Sequence, residues 1–414
     1  MARSGDGRTG GGQSRVVLAV DTAAATRSRS GRPPLGVAAP LAASVILLGW
    51  WLVAFARLLA AHGPYPSDLG EYWVAGQLTL HHGWAAPYDV ALFRQALRAF
   101  GGSADAYASS PVATLAALAL RPLPFPAAYA VWDGLLLAGV VAACRSATAA
   151  RGWPWAAQLA GSLAMFEVGS ALRQGQLAVA LVGLLALHRW LERRGRPALA
   201  GVALGLAFVK PQDVFLVPVA LALSGRRRPA LAALATAAGL AALCALLLGP
   251  DGLRAYGRSI AFELGGGLAG RQALAWVLPA GAASVAVRAG IALVALVPAG
   301  IDRHRADRAL AAAVLGSQLA TPYLNGADLS LLAACAWLTL GDRAPWWLGW
   351  GALLSYVLVA LPFPAYRTAA AAIEVGWLGA LAAAAAAARY RNGRTSSVTS
   401  SSRRSAASRP SAGT

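Results

Sequence analysis

Charged residues are scarce in this chain of 414 residues. Lys, Arg, Asp and Glu together make up 13% of the sequence, whereas hydrophobic residues make up 57%. Soluble domains carry roughly 25% charged residues, so the composition excludes an ordinary soluble protein. Long apolar segments recur along the chain instead, which predicts an all-α, polytopic transmembrane helical bundle of about 10–12 membrane segments.

Cysteine and histidine are also rare. Cys144, Cys244 and Cys335 lie in or beside apolar segments, with neither a disulfide framework nor metal-ligand spacing. The only adjacent histidines are His81 and His82, and adjacent residues do not share a helix face. No nucleotide-sugar fold, phosphate-binding loop or metal cluster is visible in the sequence. We therefore predict neither a metal site nor a cofactor.

Acidic residues are outnumbered, and the formal net charge is +19. Residues 1–37 and 389–414 hold twelve arginines against Asp6 and Asp21, which accounts for more than half of that charge. Both tails are rich in Gly, Ser and Arg, so the charge is not a nucleic-acid signature. The predicted organisation is a disordered basic tail over 1–35, a transmembrane domain over 36–390 and a disordered tail over 391–414.

The distribution of basic residues predicts the topology. The N-terminus lacks a signal-peptide pattern, and the first apolar segment, Gly36–Ala61, follows a cluster of arginines. By the positive-inside rule both termini are cytoplasmic, in a multi-pass protein of the bacterial inner (plasma) membrane. Residues 62–122 and Gly249–Ser284 are then extracytoplasmic loops, the first with juxtamembrane helices over Gly70–His81 and Val90–Phe100. Trp155–Ala171 is predicted as one membrane segment.

Two carboxylates mark the start of the first predicted loop. Asp68 and Glu71 lie three residues apart in the stretch Pro64–Gln77, on one face of a helix at the mouth of a membrane span. Ionisable groups at the edge of hydrocarbon are costly and usually mark a site. Asp68 is therefore the candidate catalytic residue. The alternative is that Ser67 and Asp68 only cap the helix.

A second candidate is the single lysine of the chain, Lys210. It begins the sequence Lys-Pro-Gln-Asp, residues 210–213, which breaks an apolar hairpin because proline ends a helix. Basic loops flank this hairpin, so Lys210 is predicted on the same outer side as Asp68. The alternative is that Lys210 only extends its ammonium group to the membrane interface.

Other polar residues are predicted on that face. Arginine and glutamine side chains could instead satisfy a turn between short spans, and Asp328 could instead cap the span that follows. The remaining members of the predicted site are Arg173, Gln176, Arg271, Tyr323, Asn325 and Asp328.

Carboxylates and fixed cations beside an apolar groove suit one reaction. A carboxylate can remove the proton of a sugar hydroxyl as a general base, and cations can stabilise a departing phosphate. A rival interpretation is a transporter or lipid flippase, in which the intramembrane acids Asp133, Glu167 and Glu374 are functional. No inverted repeat is visible to support it. Glu167 is expected to pair with Arg173 or Arg145.

Six short motifs occur in order along the chain. They are S-D-L-x-E-Y-W-x-A-G at 67–76, A-P-Y-D at 86–89, Y-x-S-S-P at 107–111, G-Q at 175–176, G-x-x-L-G-L-A-x-x-K-P at 201–211 and T-P-Y-L-N-x-x-D-L at 321–329. With these motifs in the family's order, the chain resembles the GT-C membrane glycosyltransferases, and most closely glycosyltransferase family 87. The resemblance covers roughly residues 40 to 360.

The resemblance implies a GT-C fold and an integral membrane hexosyltransferase, a mannosyltransferase in the first instance. The donor would be a polyprenyl-phosphate-linked sugar and the acceptor a lipid or glycan on the extracytoplasmic side. Asp68 would be the base of an inverting reaction. Lys210, Arg173 and Arg271 would bind the donor phosphate. The predicted substrate-binding residues are Glu71, Gln176, Tyr323, Asn325 and Asp328.

Overall fold

The structure, a computed structural model, describes residues 35–60, 68–102, 106–147, 151–266, 274, 277–278, 281–303, 305–340 and 344–407. Contacts divide the chain into two units, Met1–Ala39 and Pro40–Thr414. Of the first unit only the start of a helix, from residue 35, is described. Every side chain discussed below lies in the second unit.

The described residues form helices and no strands. This confirms the predicted all-α, polytopic bundle. The α-helices are α1 Leu35–Ala60, α2 Asp68–His82, α3 Val90–Ala99, α4 Pro111–Ala119, α5 Phe125–Ala147, α6 Trp153–Ala164, α7 Phe166–Gln174, α8 Leu177–Arg193, α9 Pro197–Leu206, α10 Val217–Leu223, α11 Arg227–Gly266, α12 Ala282–Ile301, α13 Ala306–Ala320, α14 Leu331–Leu340, α15 Ala344–Val359 and α16 Phe363–Ala407. Short 3₁₀ turns occur at Ala86–Tyr88, Ala207–Val209, Pro211–Asp213 and Gly326–Ser330.

Several of these helices are long and apolar enough to cross a membrane. By length and composition, four of the described helices can cross a membrane. The number becomes five if α7 and α8, whose axes meet at 111°, form one broken span. The shorter apolar helices include segments of α1, α9, α14 and α15. The four long segments are Phe125–Ala147, Arg227–Glu263, Ala282–Ile301 and Pro364–Tyr390. The protein is therefore a multi-pass membrane protein.

Small residues allow the helices to approach closely. A Cβ atom on Gly201 would lie 2.3 Å from the carbonyl oxygen of Pro229, and one on Gly205 would lie 2.3 Å from the Cβ of Thr236. Larger residues at these positions would force α9 away from α11. Small residues at helix interfaces are the usual means of close packing in membranes. The glycines of the 201–211 motif thus fix the helix that ends just before Lys210.

An aromatic group packs around the helix that carries Asp68. The buried ring of Tyr107 lies 5.2 Å from Phe93, 5.4 Å from Tyr88 and 6.5 Å from Tyr72, measured between centroids. The Tyr107 hydroxyl lies 2.8 Å from the Thr114 hydroxyl. These contacts join α2, α3 and α4, the short helices between the first two long apolar segments, so α2 has a defined position.

One predicted membrane segment is wrong. The segment Trp155–Ala171 is not one helix, because Met165 adopts extended backbone angles between α6 and α7. The Ser355 hydroxyl accepts a hydrogen bond from the N–H of Phe166, so a distant helix caps α7. The predicted start of the second long loop at Gly249 coincides with a break inside α11, because Gly249 has the non-helical angles φ 61° and ψ −176°. The chain is helical again after this break, as far as Gly266.

The predicted domain limits stay predictions. The N-terminal tail, 1–35, lies outside the described residues except for its last residue. At the other end, α16 continues to Ala407, beyond the limit of 390 placed on the transmembrane domain. The predicted location of both termini on the cytoplasmic side, and of the long loops on the other side, also stays a prediction.

Candidate functional site

Asp68 is the first residue of α2, where the helix dipole favours an anion. Its side chain is half-buried, and the Nε2 of Gln176 donates a hydrogen bond to its Oδ2. Ser67, the other residue of the predicted cap, lies outside the described residues. Asp68 therefore contacts a residue 108 positions away in the sequence.

The Gly-Gln pair at 175–176 has a structural reason. Gly175 ends α7 in the left-handed conformation, with φ 67°, which favours glycine. A Cβ atom there would also lie 3.0 Å from the Cβ of Leu69, the neighbour of Asp68. The Nε1 of Trp132 donates to the Gly175 carbonyl oxygen at 2.8 Å. Because Trp132 binds the carbonyl oxygen of this turn, the Gln176 side chain is not needed there and binds Asp68 instead.

Lys210 lies at the break between α9 and α10, as the sequence predicts. Its ammonium group pairs with Asp328 and donates to the Oε1 of Gln176 at 3.3 Å. The Lys210 side chain is 12% exposed and that of Asp328 is fully buried. The interaction with a buried carboxylate argues against Lys210 merely reaching the membrane interface. Gln176 thus bridges the predicted base and the single lysine.

The turn before α14 holds Asp328 in position. Asn325 begins the 3₁₀ turn, and its N–H donates to the Oδ2 of Asp328 at 2.9 Å in a capping box. Asp328 is therefore the third residue of the capped turn rather than its first. One carboxylate oxygen closes the box while the other faces Lys210, so Asp328 has a structural and an electrostatic role together.

Gln318 is a member of the site that the sequence analysis missed. It is fully buried in α13, and its Nε2 donates to the carbonyl oxygen of Asp328 at 2.7 Å and to the Oδ1 of Asp213 at 3.2 Å. A glutamine that follows the apolar stretch 309–316 of this helix is a signal that could have identified it. We refer to Asp68, Gln176, Lys210, Asp213, Gln318 and Asp328 as the Lys210 cluster.

The electrostatics of the Lys210 cluster follow from burial and an excess of carboxyl groups. Burial raises the pKa of Asp68 to about 6, against the lowering effect of the Lys210 charge. Burial and the Asp328 charge raise the pKa of Asp213. Burial alone would lower the pKa of Lys210, but the charges of Asp328 and Asp213 outweigh it and raise that pKa. Lys210 therefore stays protonated while Asp68 titrates near neutral pH.

Two more predicted residues lie near the Lys210 cluster. Burial, followed by the charges of Asp68 and Glu263, raises the pKa of Glu71 well above its ordinary value. Burial, followed by the charges of Asp328 and Asp68, raises the pKa of the Tyr323 hydroxyl. Both side chains are half-buried, so they border the site without closing it.

Of the predicted phosphate ligands, Lys210 lies in the Lys210 cluster, and the hydrogen bond described for Arg173 lies elsewhere. The Arg173 side chain is exposed, and its backbone carbonyl accepts a hydrogen bond from the Tyr129 hydroxyl. Arg271 lies outside the described residues. Asn325 supports Asp328 through its backbone, as described above, and lines a separate cavity.

The arrangement can accept and hold a proton beside a fixed positive charge. Asp68 has a pKa suited to a general base at neutral pH. An ammonium group has three N–H donors, and two of those of Lys210 are engaged by Asp328 and Gln176. No further acceptor among the described residues binds the third. Among the described residues, no three His, Cys, Asp or Glu side chains are grouped to hold a metal ion.

A known protein family matches this chain. The sequence model of glycosyltransferase family 87 matches residues 107–324, which is more than half of the chain. Gln176, Lys210 and Gln318 lie within the matched range, and Asp68 precedes it. No curated protein and no solved structure matches the chain. The chain therefore belongs to glycosyltransferase family 87, and it is a membrane glycosyltransferase.

Proposed function

We propose that the protein transfers a hexose from a polyprenyl-phosphate donor to a lipid or glycan acceptor outside the cytoplasm, with inversion at the anomeric carbon. The observation that carries the proposal is the half-buried Asp68 held by Gln176 beside the Lys210–Asp328 pair. Mannose is proposed as the hexose because the ordered motifs resemble the polyprenyl-phosphomannose-dependent type.

Each part of the site has a role in this reaction. The Asp68 carboxylate takes the proton of the acceptor hydroxyl, and the hydroxyl oxygen forms a bond to the anomeric carbon of the donor sugar. The bond between that carbon and the phosphate oxygen breaks, and polyprenyl phosphate leaves with the electron pair. The remaining N–H of Lys210 donates to the departing phosphate, which stabilises the charge that develops on it. Attack opposite to the leaving group inverts the configuration.

The sequence alone left two interpretations, a transferase and a transporter. Membership of a glycosyltransferase family favours the transferase. A base with a pKa of about 6 that Gln176 joins to a fixed cation also suits bond-forming chemistry more directly than passage of a lipid.

The test is Asp68→Asn, assayed with purified protein, radiolabelled polyprenyl-phosphate hexose and a membrane lipid extract as acceptor source. Removal of a general base lowers the rate by about 10²- to 10⁴-fold, so labelled product should fall at least about 10²-fold. The matched control is Asp251→Asn, whose side chain is 87% exposed and pairs with Arg254. It should retain wild-type transfer.

Near-normal transfer by Asp68→Asn would remove Asp68 as the base. An intact labelled donor in the wild-type reaction, with label moved only across a vesicle membrane, would support a carrier instead. Parallel donors that bear glucose or mannose identify the hexose, because only the preferred sugar should give product at low donor concentration.

A further inference from the structure

A cavity lies beside the turn that supports Asp328. Its volume is about 310 Å³, and it opens between α7, the 3₁₀ turn at Gly326–Ser330 and the adjoining ends of α15 and α16. This size is at the lower end of the range for small-molecule sites. The polar side chains that line it are Glu167, Ser170, Gln174, Asn325 and Tyr366. None of these was predicted to act together.

Glu167 is the most informative of these residues. Its side chain is 5% exposed, and its Oε1 accepts a hydrogen bond from the Tyr366 hydroxyl at 3.4 Å instead of pairing with the predicted arginine. Its other oxygen, Oε2, is buried and has no hydrogen-bond partner among the described residues. Buried polar atoms are nearly always hydrogen-bonded. Glu167 lines the cavity, and its unsatisfied carboxyl oxygen therefore indicates a ligand that brings a hydrogen-bond donor to this residue.

The rest of the cavity wall offers neutral hydrogen-bonding groups. The Nε2 of Gln174 donates to the Ser170 hydroxyl at 2.8 Å, which fixes the orientation of the amide. No lysine or arginine is among the described residues that line the cavity. The buried acid would repel a phosphate, which also finds no cation there. The chemistry fits a neutral ligand with several hydroxyl groups.

The same wall carries apolar surfaces beside these polar groups. The rings of Phe166 and Tyr366 and the side chain of Leu361 line it together with the amides and the carboxyl group. A pyranose ring has this combination of apolar ring faces and peripheral hydroxyls. Mixed apolar walls with a few placed polar groups are typical of small-ligand sites.

The cavity is joined to the Lys210 cluster by two short links. The Asn325 side chain lines the cavity, and its N–H binds the Asp328 carboxylate that pairs with Lys210. Gln174 lines the cavity, and Gln176, two residues later, binds Asp68. A ring held in this cavity is therefore next to the residues that carry the proposed chemistry.

We propose that this cavity is a saccharide subsite that binds a neutral hexose ring, with Glu167 and Tyr366 as the principal hydrogen-bonding residues. Saccharide binding itself stands independently of catalysis. Its assignment to a substrate rests on the proposed transferase function. The ring belongs either to the donor hexose or to a glycan acceptor, and the experiment separates these two sources.

The first experiment measures binding without turnover. Saturation-transfer NMR on the purified full-length protein uses methyl α-mannoside and methyl α-glucoside as probes. Loss of a hydrogen bond that involves a charged group weakens binding by about tenfold or more, so Glu167→Gln and Tyr366→Phe should each raise the Kd by that factor. The control is Asp133→Asn, a buried intramembrane acid that does not line the cavity. It should bind like wild type, and inorganic phosphate should not compete with the glycoside.

Equal binding by wild type, Glu167→Gln and Tyr366→Phe would overturn the proposal, and so would displacement of the glycoside by phosphate. Asp68→Asn should bind the glycosides normally while it loses transfer. If that variant and the wild type both bind but neither transfers, the saccharide subsite stands and the proposed function fails. In the transfer assay, a rise in KM for the acceptor alone in Glu167→Gln assigns the ring to the acceptor. A rise for the donor alone assigns it to the donor.

Discussion

The polar groups at the two ends of α8 differ in how their charges are paired. The helix has 17 residues, which separates its ends by about 25 Å. At its start, Gln176 joins the Lys210 cluster. At its other end lie His188, Arg189 and Glu192, which contact Arg226 and Asp307. We call these last five residues the Arg189 network.

The Arg189 network is balanced in charge. Arg189 pairs with Asp307, and Arg226 lies 3.0 Å from Glu192, so two guanidinium groups face two carboxylates. His188 completes it through its Nδ1, 3.0 Å from the Ala200 carbonyl oxygen. Each charge has a partner of opposite sign. This is the pattern of a network that ties the ends of helices together.

The Lys210 cluster is not balanced. Among its described members, three carboxyl groups, those of Asp68, Asp213 and Asp328, act on one ammonium group. Buried carboxyl groups in excess of their cations lower the stability of the fold unless a ligand supplies the missing partners. Perturbed, incompletely paired ionisable groups are concentrated at functional sites. The comparison favours a functional role for the Lys210 cluster and a structural role for the Arg189 network.

The largest expected difference in stability comes from Lys210→Met. It leaves Asp328 buried without its cation, and loss of one partner of a buried ion pair costs about 3–5 kcal/mol. Chemical denaturation in mixed micelles should show a loss of this size in the free energy of unfolding. The double variant Lys210→Met/Asp328→Asn should recover much of it, since no unpaired charge is left. A double variant no more stable than the single one would contradict the role of the pair.

The next effect is expected from Gln176→Leu, which removes the bridge between Asp68 and Lys210. Hydrogen bonds to charged groups contribute about 1.5–3 kcal/mol, so kcat should fall by about ten- to a hundredfold. Because Gln176 also lowers the pKa of Asp68, the acid limb of the rate profile should move to higher pH. Gln95→Leu, on the exposed face of α3, should change neither. An unshifted acid limb in Gln176→Leu would leave Gln176 with a structural role only.

The pH dependence is a smaller effect. Since Asp68 must be ionised to act as a base, kcat/KM should fall about tenfold for each pH unit below about 6. Residual turnover by Asp68→Asn should lack this limb. Stability should change in the opposite direction. The pKa of Asp68 in the folded protein is above its ordinary value of 3.8. The contribution of Asp68 to the free energy of unfolding is therefore fully present below pH 3.8, and it is lost as the pH rises through about 6. A flat rate profile between pH 5 and 7 would contradict the assignment.

The smallest effect is expected in the Arg189 network. Arg226→Gln removes the pair with Glu192, but the Arg226 side chain is partly exposed, and Arg189 and His188 remain near Glu192. Exposed ion pairs contribute about 1 kcal/mol or less. The free energy of unfolding should fall by no more than that, and transfer should be unchanged. Loss of transfer in this variant would show that the two ends of α8 are functionally coupled.

Much of the Lys210 cluster was predictable from the sequence. Asp68 and Lys210 were identified because an acid and a single amine at membrane boundaries are costly, and the break at 210–213 follows from Pro211. Gln176 was predicted as a substrate-binding residue, whereas Gly175 was noticed only as part of a motif. Their reason, a left-handed turn against Leu69, needed the packing of α2 on α7.

Other features left little trace in the sequence. The break at Met165 has neither glycine nor proline, because the Ser355 hydroxyl, 189 residues further along the main chain from Phe166, provides the cap. Tyr366 was not singled out, because its value as a partner of Glu167 depends on the position of α16. The cavity they line depends on four separate segments, so no local pattern could predict it.

The sequence by itself determined that the protein is a membrane helical bundle, and it indicated Asp68 and Lys210 as the candidate acid and amine of its site, because scarce charge and long apolar segments restrict where an ionisable group can lie. Only the tertiary structure decided which polar residues meet. The contacts of Asp68 with Gln176 and of Lys210 with Asp328 span 108 and 118 residues. Such contacts are set by how closely the helices pack, and side-chain volumes at their interfaces control that packing rather than any local sequence pattern.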